Sequence, residues 1–334
     1  MKKPTVSILC ITYNQAKFIR DCLDGFIMQK TNFPFEVLIH DDASTDGTAD
    51  IIREYAEKYP DIIKPILQTE NQWSRGVSVD KAYNWPRIRG KYVAICEGDD
   101  YWTDPNKLQK QVDFLDAHPD YSICFHPVRV TWDDGRNPDT IFPTRKSRKN
   151  KTTLDLSDLL KDNFIQTNSV MYRWRGDCAD VFPDGILPCD WYLHLLHAQV
   201  GKIGFLPDVM AVYRRNAGGI WTGAYKSDDW FIKCALPCLK FYKCATAQFD
   251  YDFTDSMVVV ASGAICAALR ANNMKLIEKI HNMYPEIWDM ATRRINNVDV
   301  KKMQMRANKY KRMFNITLGL GAIILVIFVL KGIM

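Results

Sequence analysis

The chain lacks a glycine-rich phosphate loop: neither GxGxxG nor GxxxxGK follows its first apolar run, so a phosphate would have to be neutralised by some other means. Paired CxxC spacing is also missing, although there are 10 cysteines, which argues against a zinc cluster or a disulfide framework and fits a reducing cytosol. Cys234, Cys238 and Cys244 share one segment and read as buried thiols on a helix. No apolar signal region precedes the first strand, so no secretory leader is expected. Charge of one sign is scarce as well. Lys and Arg number 44 against 39 Asp and Glu, a net +5 over 334 residues, and no nucleic-acid partner is expected. Disorder is excluded by 47% hydrophobic and 12% aromatic content, ample for the core of one large or two ordinary domains.

What the chain does have is polar and acidic residues at the ends of apolar runs. Val6-Ser7-Ile8-Leu9-Cys10-Ile11 reads as a strand covered on both faces and ends in Thr12-Tyr13-Asn14-Gln15. Phe18, Ile19, Cys22, Leu23, Phe26 and Ile27 then recur at helical spacing, and residues 35–39 supply a second strand, completing a βαβ unit. That strand runs into His40-Asp41-Asp42-Ala43-Ser44-Thr45-Asp46-Gly47-Thr48. Ser44 and Asp46 suit helix capping, but two adjacent carboxylates are more than capping needs. A third strand at 62–67 and a connection containing Trp73 lead to Tyr92-Val93-Ala94-Ile95. This run feeds Cys96-Glu97-Gly98-Asp99-Asp100-Tyr101-Trp102, and a helix is expected next, with Asp104 as N-cap and Pro105 at its first position.

Three polar strand ends therefore meet at one edge of a mostly parallel sheet, where open α/β sheets bind ligands. Carboxylates gathered there repel one another unless a cation or a donor network separates them. A divalent metal on Asp99 or Asp100 would neutralise a diphosphate without a glycine loop.

Further along, residues 121–126 and 128–132 read as two strands followed by an Asp134-Gly135 turn. Arg145, Lys146, Arg148, Lys149 and Lys151 form a basic loop, solvated or open to a phosphate or an anionic lipid surface. Thr167, Asn168 and Ser169 sit in a polar patch between apolar residues. They line a pocket or satisfy loop backbone. Asp190 is placed to cap the helix carrying Leu193, Leu196 and His197. Residues 203–206 and 209–213 suggest a returning hairpin, ending in Arg214-Arg215-Asn216-Ala217-Gly218-Gly219, a loop able to close over a ligand. Tyr101, Trp102 and Trp191 are candidates for stacking on a ligand ring, with packing as the alternative. His126 and His197 read as buried, hydrogen-bonded histidines.

Residues 225–312 are helical in pattern, with Pro237 and Pro285 as breaks and no catalytic constellation. Residues 314–330 are nearly all apolar and close to the lower length limit for crossing a bilayer. Lys301, Lys302, Arg306, Lys309, Lys311 and Arg312 precede them, so the positive-inside bias puts the rest of the chain in the cytoplasm. The alternative is a buried C-terminal core helix.

Taken in order, these motifs resemble the family 2 glycosyltransferases of GT-A fold. The residues that carry the likeness are Thr12-Tyr13-Asn14, Asp41 to Thr48, Glu97-Gly98-Asp99-Asp100 at the place of the DxD motif, Asp190-Trp191, and Val212-Tyr213-Arg214 with Gly218-Gly219. The likeness spans roughly residues 4–222. It implies an α/β GT-A fold: a Rossmann-like, mostly parallel sheet with helices on both faces, followed by a helical region and a C-terminal transmembrane helix. The implied division is 1–118 for the nucleotide-sugar-binding half, 119–224 for the acceptor-binding and catalytic half, 225–312 for the appendage and 313–334 for the membrane segment.

By the resemblance, Thr12, Tyr13, Asn14, Asp41, Asp42, Asp99 and Arg214 contact the donor, a UDP-sugar, and Asp99 and Asp100 hold Mn²⁺ or Mg²⁺. Trp102, Thr167, Ser169 and Trp191 contact the acceptor, a glycan or lipid-linked hydroxyl. Asp190 is the general base, and one base with one displacement implies inversion. The implied setting is cell-surface polysaccharide synthesis on the cytoplasmic face of the inner membrane, behind a single-pass C-terminal anchor. Two positions depart from the family pattern: Glu97 replaces an Asp, and Asn216 stands where His is common. The competing readings are a sugar-phosphate nucleotidyltransferase, which would need a basic, glycine-rich N-terminal loop, and a non-catalytic GT-A-like binding protein, which would be expected to have lost carboxylates.

Overall fold

The computed structural model describes residues 3–133, 135, 137–148, 150–216, 219 and 227–295. The membrane segment expected at 313–334, the basic residues from Lys301 to Arg312, and Asp134, Lys149 and Gly218 lie outside the described residues. No helix among those described is long and apolar enough to cross a membrane.

The first half alternates strands and helices: β1 (Val6–Thr12), α1 (Ile19–Ile27), β2 (Phe35–Asp41), α2 (Thr48–Lys58), β3 (Ile63–Leu67) and β4 (Tyr92–Ile95). The order β3-β2-β1-β4 is parallel throughout, with β1 at its centre. The short strand β5 (Tyr101–Trp102) precedes α3 (Lys107–Ala117), and β6 (Tyr121–Phe125), β7 (Val128–Trp132), β8 (Thr140–Phe142), β9 (Thr153–Leu154), α4 (Leu156–Leu159) and β10 (Met171–Arg173) follow. The rest is α5 (Cys178–Val181), α6 (Cys189–Ala198), β11 (Lys202–Phe205), β12 (Ala211–Arg215), α7 (Asp228–Phe249), α8 (Thr254–Arg270) and α9 (Met274–Met283).

The unbroken apolar run of β1 has a direct cause. Val6, Ile8 and Cys10 enter the core beneath α1 and α3, whereas Leu9 joins the opposite core with α6 and α7, so both faces of the strand are covered. Beyond β4 the eight-stranded sheet continues β10-β6-β11-β9 and becomes mixed. β10 is antiparallel to both β4 and β6, and β9 to β11, so the sheet is mixed while most of its strand pairs are parallel, as expected.

A second sheet, ordered β5-β12-β7-β8, corrects the expected hairpin at 203–213. β6 and β11 pair in parallel in the large sheet, and their continuations β7 and β12 pair in parallel in the small one. Pro127 and Pro207, which have no N–H to donate to a ladder, stand at the two crossings between sheets. The paired strands therefore change sheets together, and neither folds back on its predecessor.

Two helix starts also differ from expectation. α3 begins at Lys107, because the Asp104 carboxylate accepts the Asn106 N–H at 2.8 Å and the Pro105 carbonyl accepts the Lys30 N–H, holding this stretch as a turn. α6 begins at Cys189 after Pro188, so Asp190 lies in its first turn and is not the N-cap. Pro237 lies inside the continuous helix α7, so it is no break. α7, α8 and α9 share a core of Ala235, Leu239, Ala261, Ile265 and Ile280.

The basic loop is partly structural. The Arg148 guanidinium lies 3.4 Å from the Phe205 ring centroid, and Lys151 pairs with Asp158 at 2.7 Å. All ten cysteines carry free thiols, with Cys234 and Cys238 buried on α7.

Candidate active site

Three strand ends are laced together by backbone. Asp42 N–H donates to the Thr12 carbonyl, Cys96 N–H to that of Leu9 and Gly98 N–H to that of Ile11, each at 3.0 Å. The acidic loop thus lies directly against the end of β1. Only glycine fits at 98: a Cβ there would stand 2.5 Å from Gln15 Oε1 and 2.8 Å from Thr12 Cβ and Oγ1. Thr12 Oγ1 and Gln15 Oε1 are both buried with no hydrogen-bond partner, so polar atoms without partners collect beside this loop.

On the β2 side, Asn14 adopts a left-handed conformation, φ 52°, its N–H donating to Ser44 Oγ and its Oδ1 accepting from Thr45 N–H. Asp41 accepts from both the N–H and the hydroxyl of Ser44. Asn14 and Asp41 therefore knit the first two loops together. The Asp42 carboxylate takes the Gln72 and Trp73 N–H groups at 2.7 and 3.0 Å, with His40 Nε2 at 3.6 Å. Burial pushes the His40 pKa down despite that carboxylate. Tyr13, next to the end of β1, and Trp73, whose N–H donates to Asp42, are each 48% exposed, two aromatic faces open to solvent. Trp73 was noted in the sequence only as part of a connection.

On the other side, β12 brings the late loop onto the acidic one. Arg214 N–H donates to Asp100 Oδ1 and the Asn216 amide donates to Asp99 Oδ2, both at 2.8 Å. Asn216, the departure from the family pattern, thus touches Asp99 directly. Asp100 is 1% exposed, and burial drives its pKa well up. Through its Oδ1 it joins the segment after β4 to β12, and of the two candidate metal ligands it is the more deeply buried. The Arg214 guanidinium is held by Asp21 and the Asp99 carbonyl and lies 4.2 Å from the Tyr101 ring centroid.

Asp190 approaches from α6. Its Oδ2 accepts from the Thr167 hydroxyl at 2.8 Å, so two residues singled out separately in the sequence are in contact. Glu97 lies within reach of both acidic groups. The side chain stays open to solvent, and partial loss of hydration together with the negative charges of Asp99, Asp190 and Asp80 raises its pKa, to about 8. The half-buried Asp80 carboxyl, accepting from the Asn84 amide, is itself raised to about 6 by desolvation. Four carboxyl groups from three chain segments therefore share one field. Among the described residues, no three His, Cys, Asp or Glu side chains converge closely enough to form a complete metal cage.

Three residues expected to touch an acceptor are used inside the fold. Trp102 is 1% exposed, donates to the Asn168 carbonyl and has Phe26 and the Lys107 ammonium against its ring, leaving no face for a sugar. Ser169 is buried and donates to the Gln166 carbonyl. Trp191 donates to the Leu159 carbonyl and stacks on Phe241, joining α6 to α7. Residues 167–169 form a turn that Asn168 and Gln111 tie to neighbouring segments. Sequence reasoning missed Asp80 and His194. His194, one helical turn after Asp190, was hidden by an otherwise apolar helix.

The sequence model of glycosyl transferase family 2 matches residues 7–175. The chain belongs to that family. Membership of family 2 is supported by TuaG of Bacillus subtilis, named as a teichuronic acid biosynthesis glycosyltransferase, which is 35% identical over 253 residues, 75% of this chain and 95% of TuaG. A Mycobacterium tuberculosis protein named as uncharacterized, Rv1520, is 52% identical over 220 residues, 66% of this chain. The matched region spans 61% of that relative's length. The family 2 chain also superposes on the Staphylococcus aureus TarS 1–349 complex with UDP-GlcNAc, with TM-score 0.54 and 17% identity, covering 90% of this chain and 91% of TarS 1–349. The mannosyltransferase PcManGT of Pyrobaculum calidifontis, solved with GDP-Man and Mn²⁺, gives TM-score 0.55 and 19% identity, covering 87% and 84%. At these identities the likeness shows a GT-A-like α/β fold with a mixed sheet.

Proposed function

We propose that this protein is a glycosyltransferase that moves a sugar from a nucleoside diphosphate donor to an acceptor hydroxyl, with inversion. The observation that carries the reading is the turn at 167–169, which holds Trp102, at the end of the acidic loop, through the Asn168 carbonyl and Asp190 of α6 through the Thr167 hydroxyl, and so sets the two carboxylate-bearing segments beside each other. A donor lying along the ends of β1, β2 and β4 would place its base near Asp42, Tyr13 and Trp73, and its diphosphate near Asp99. Asp190, oriented by Thr167, takes the proton from the attacking hydroxyl, and with a single base on one side the anomeric centre inverts.

The donor set suits a hard cation. Asp99 offers a carboxylate whose Oδ2 is oriented by Asn216, and a cation such as Mn²⁺ or Mg²⁺ completes its shell from diphosphate and water when the protein supplies only one or two carboxylates. Bound there, the metal would stabilise the departing diphosphate. The teichuronic acid biosynthesis role in the name of TuaG favours a glycan acceptor, and the apolar run at 314–330 would hold the enzyme beside a lipid-linked form of such an acceptor on the cytoplasmic face of the membrane.

A panel of UDP- and GDP-sugars, with and without Mn²⁺, tests the reading by thermal stabilisation and nucleoside diphosphate release. At least one donor should stabilise the protein and be turned over only with metal. No response to any donor would overturn the proposal.

A further inference from the structure

His194 extends the Asp190 site into the core. It is fully buried on α6, and its Nδ1 lies 2.5 Å from the Tyr172 hydroxyl. Nε2 has no hydrogen-bond partner within normal geometry, and Asp190 Oδ2 lies 3.9 Å from it. A tyrosine hydroxyl donates readily, so Nδ1 accepts and Nε2 carries the proton, with the Asp190 carboxylate as the acceptor nearest to it.

A buried N–H left without a partner is costly, and a small rotation of the Asp190 side chain would satisfy it. The Asp190 side chain is 26% exposed, and its other partners are the rotatable Thr167 hydroxyl at Oδ2 and the Trp191 N–H at Oδ1, whereas the imidazole is fully buried.

On the reading of Asp190 as general base, we propose that Tyr172 and His194 form a positioning relay: Tyr172 fixes the His194 tautomer, and His194 Nε2–H donates to Asp190 to hold the carboxylate ionised and aimed. No proton passes along the relay, because His194 stays neutral. Burial lowers its pKa to about 4, against the raising charge of Asp190. The other titratable groups around the relay are Glu97, Asp80 and Cys189 near Asp190, and His197 one turn along α6.

Titration tests this on the full chain without a known acceptor. Aspartate labelled with ¹³C at the carboxyl gives one Asp190 resonance, identified by its loss in Asp190→Asn. A hydrogen bond to the ionised form lowers a carboxyl pKa, so removing the donor raises it. His194→Phe and Tyr172→Phe should each move the Asp190 midpoint upward by about one pH unit, the size expected for one lost donor to a charged group. His194→Gln, which keeps a donor, should restore much of the difference. Tyr172→Phe removes one oxygen and serves if His194→Phe fails to fold. An unchanged midpoint in folded variants overturns the relay. Retained sugar transfer in Asp190→Asn overturns the base assignment instead, so the two failures are distinguishable.

Discussion

Gly98→Ala is the smallest change that should displace the acidic loop. Gly98 has no positive φ, so its replacement is a problem of space and not of backbone conformation. The new Cβ would stand 2.5 Å from Gln15 Oε1, the end of a flexible side chain that can move aside. It would also stand 2.8 Å from Thr12 Cβ, which is fixed to the central strand. Carbon atoms pack at about 3.5–4.0 Å, so the loop must retreat by roughly 1 Å. Overpacking of this kind costs about 1–3 kcal/mol, or roughly 2–12 °C in melting temperature at about 2–4 °C per kcal/mol for a domain of this size. The same shift carries Asp99 with it, and a misplacement of about 1 Å lowers turnover by roughly 100-fold. Calorimetry and donor turnover are the assays, with Gly176→Ala as control, since nothing lies within 4 Å of a Cβ there. A Gly98→Ala protein that melts and turns over donor like the parent would refute the argument.

Two further substitutions probe the carboxylates separately. Asp80 has a folded-state pKa raised to about 6, so the folded form binds a proton more tightly than the unfolded form. Its contribution to stability is therefore full below about pH 4 and declines as pH rises through 6. Asp80→Asn should melt higher than the parent at pH 8, by about 2 kcal/mol in stability, and show no gain at pH 4; equal differences at both pH values would refute this. Asp99→Asn should abolish the extra thermal stabilisation that Mn²⁺ gives in the presence of UDP, and an undiminished metal effect would remove Asp99 from the proposed metal site.

The parts of the site legible in the sequence are those set by local pattern. β1, β2 and β4 are buried on both faces, so each appears as an apolar run, and the polar residues after each run mark where the chain reaches the rim. Asp190 and Thr167 were also found, and they meet. The small sheet was not legible, because β5 and β12 pair across more than 100 residues and two prolines decide where β6 and β11 leave the large sheet. Trp102 shows why a conspicuous aromatic misleads: it follows the acidic loop in sequence, yet its ring packs on Phe26 and its N–H donates to the Asn168 carbonyl. The two adjacent aspartates were indistinguishable by sequence alone. Burial separates them, with Asp100 held under β12 and Asp99 partly exposed.

Asp190→Asn tests the central claim most directly, because the change keeps size and shape while removing the basic oxygen. With a donor identified from the panel, sugar transfer by this variant should fall by at least about 100-fold, the range for loss of general-base catalysis, while donor affinity stays within a few-fold. Transfer at the parental rate, with donor still bound, would show that Asp190 is not the base and that the carboxylates around Glu97 serve another purpose.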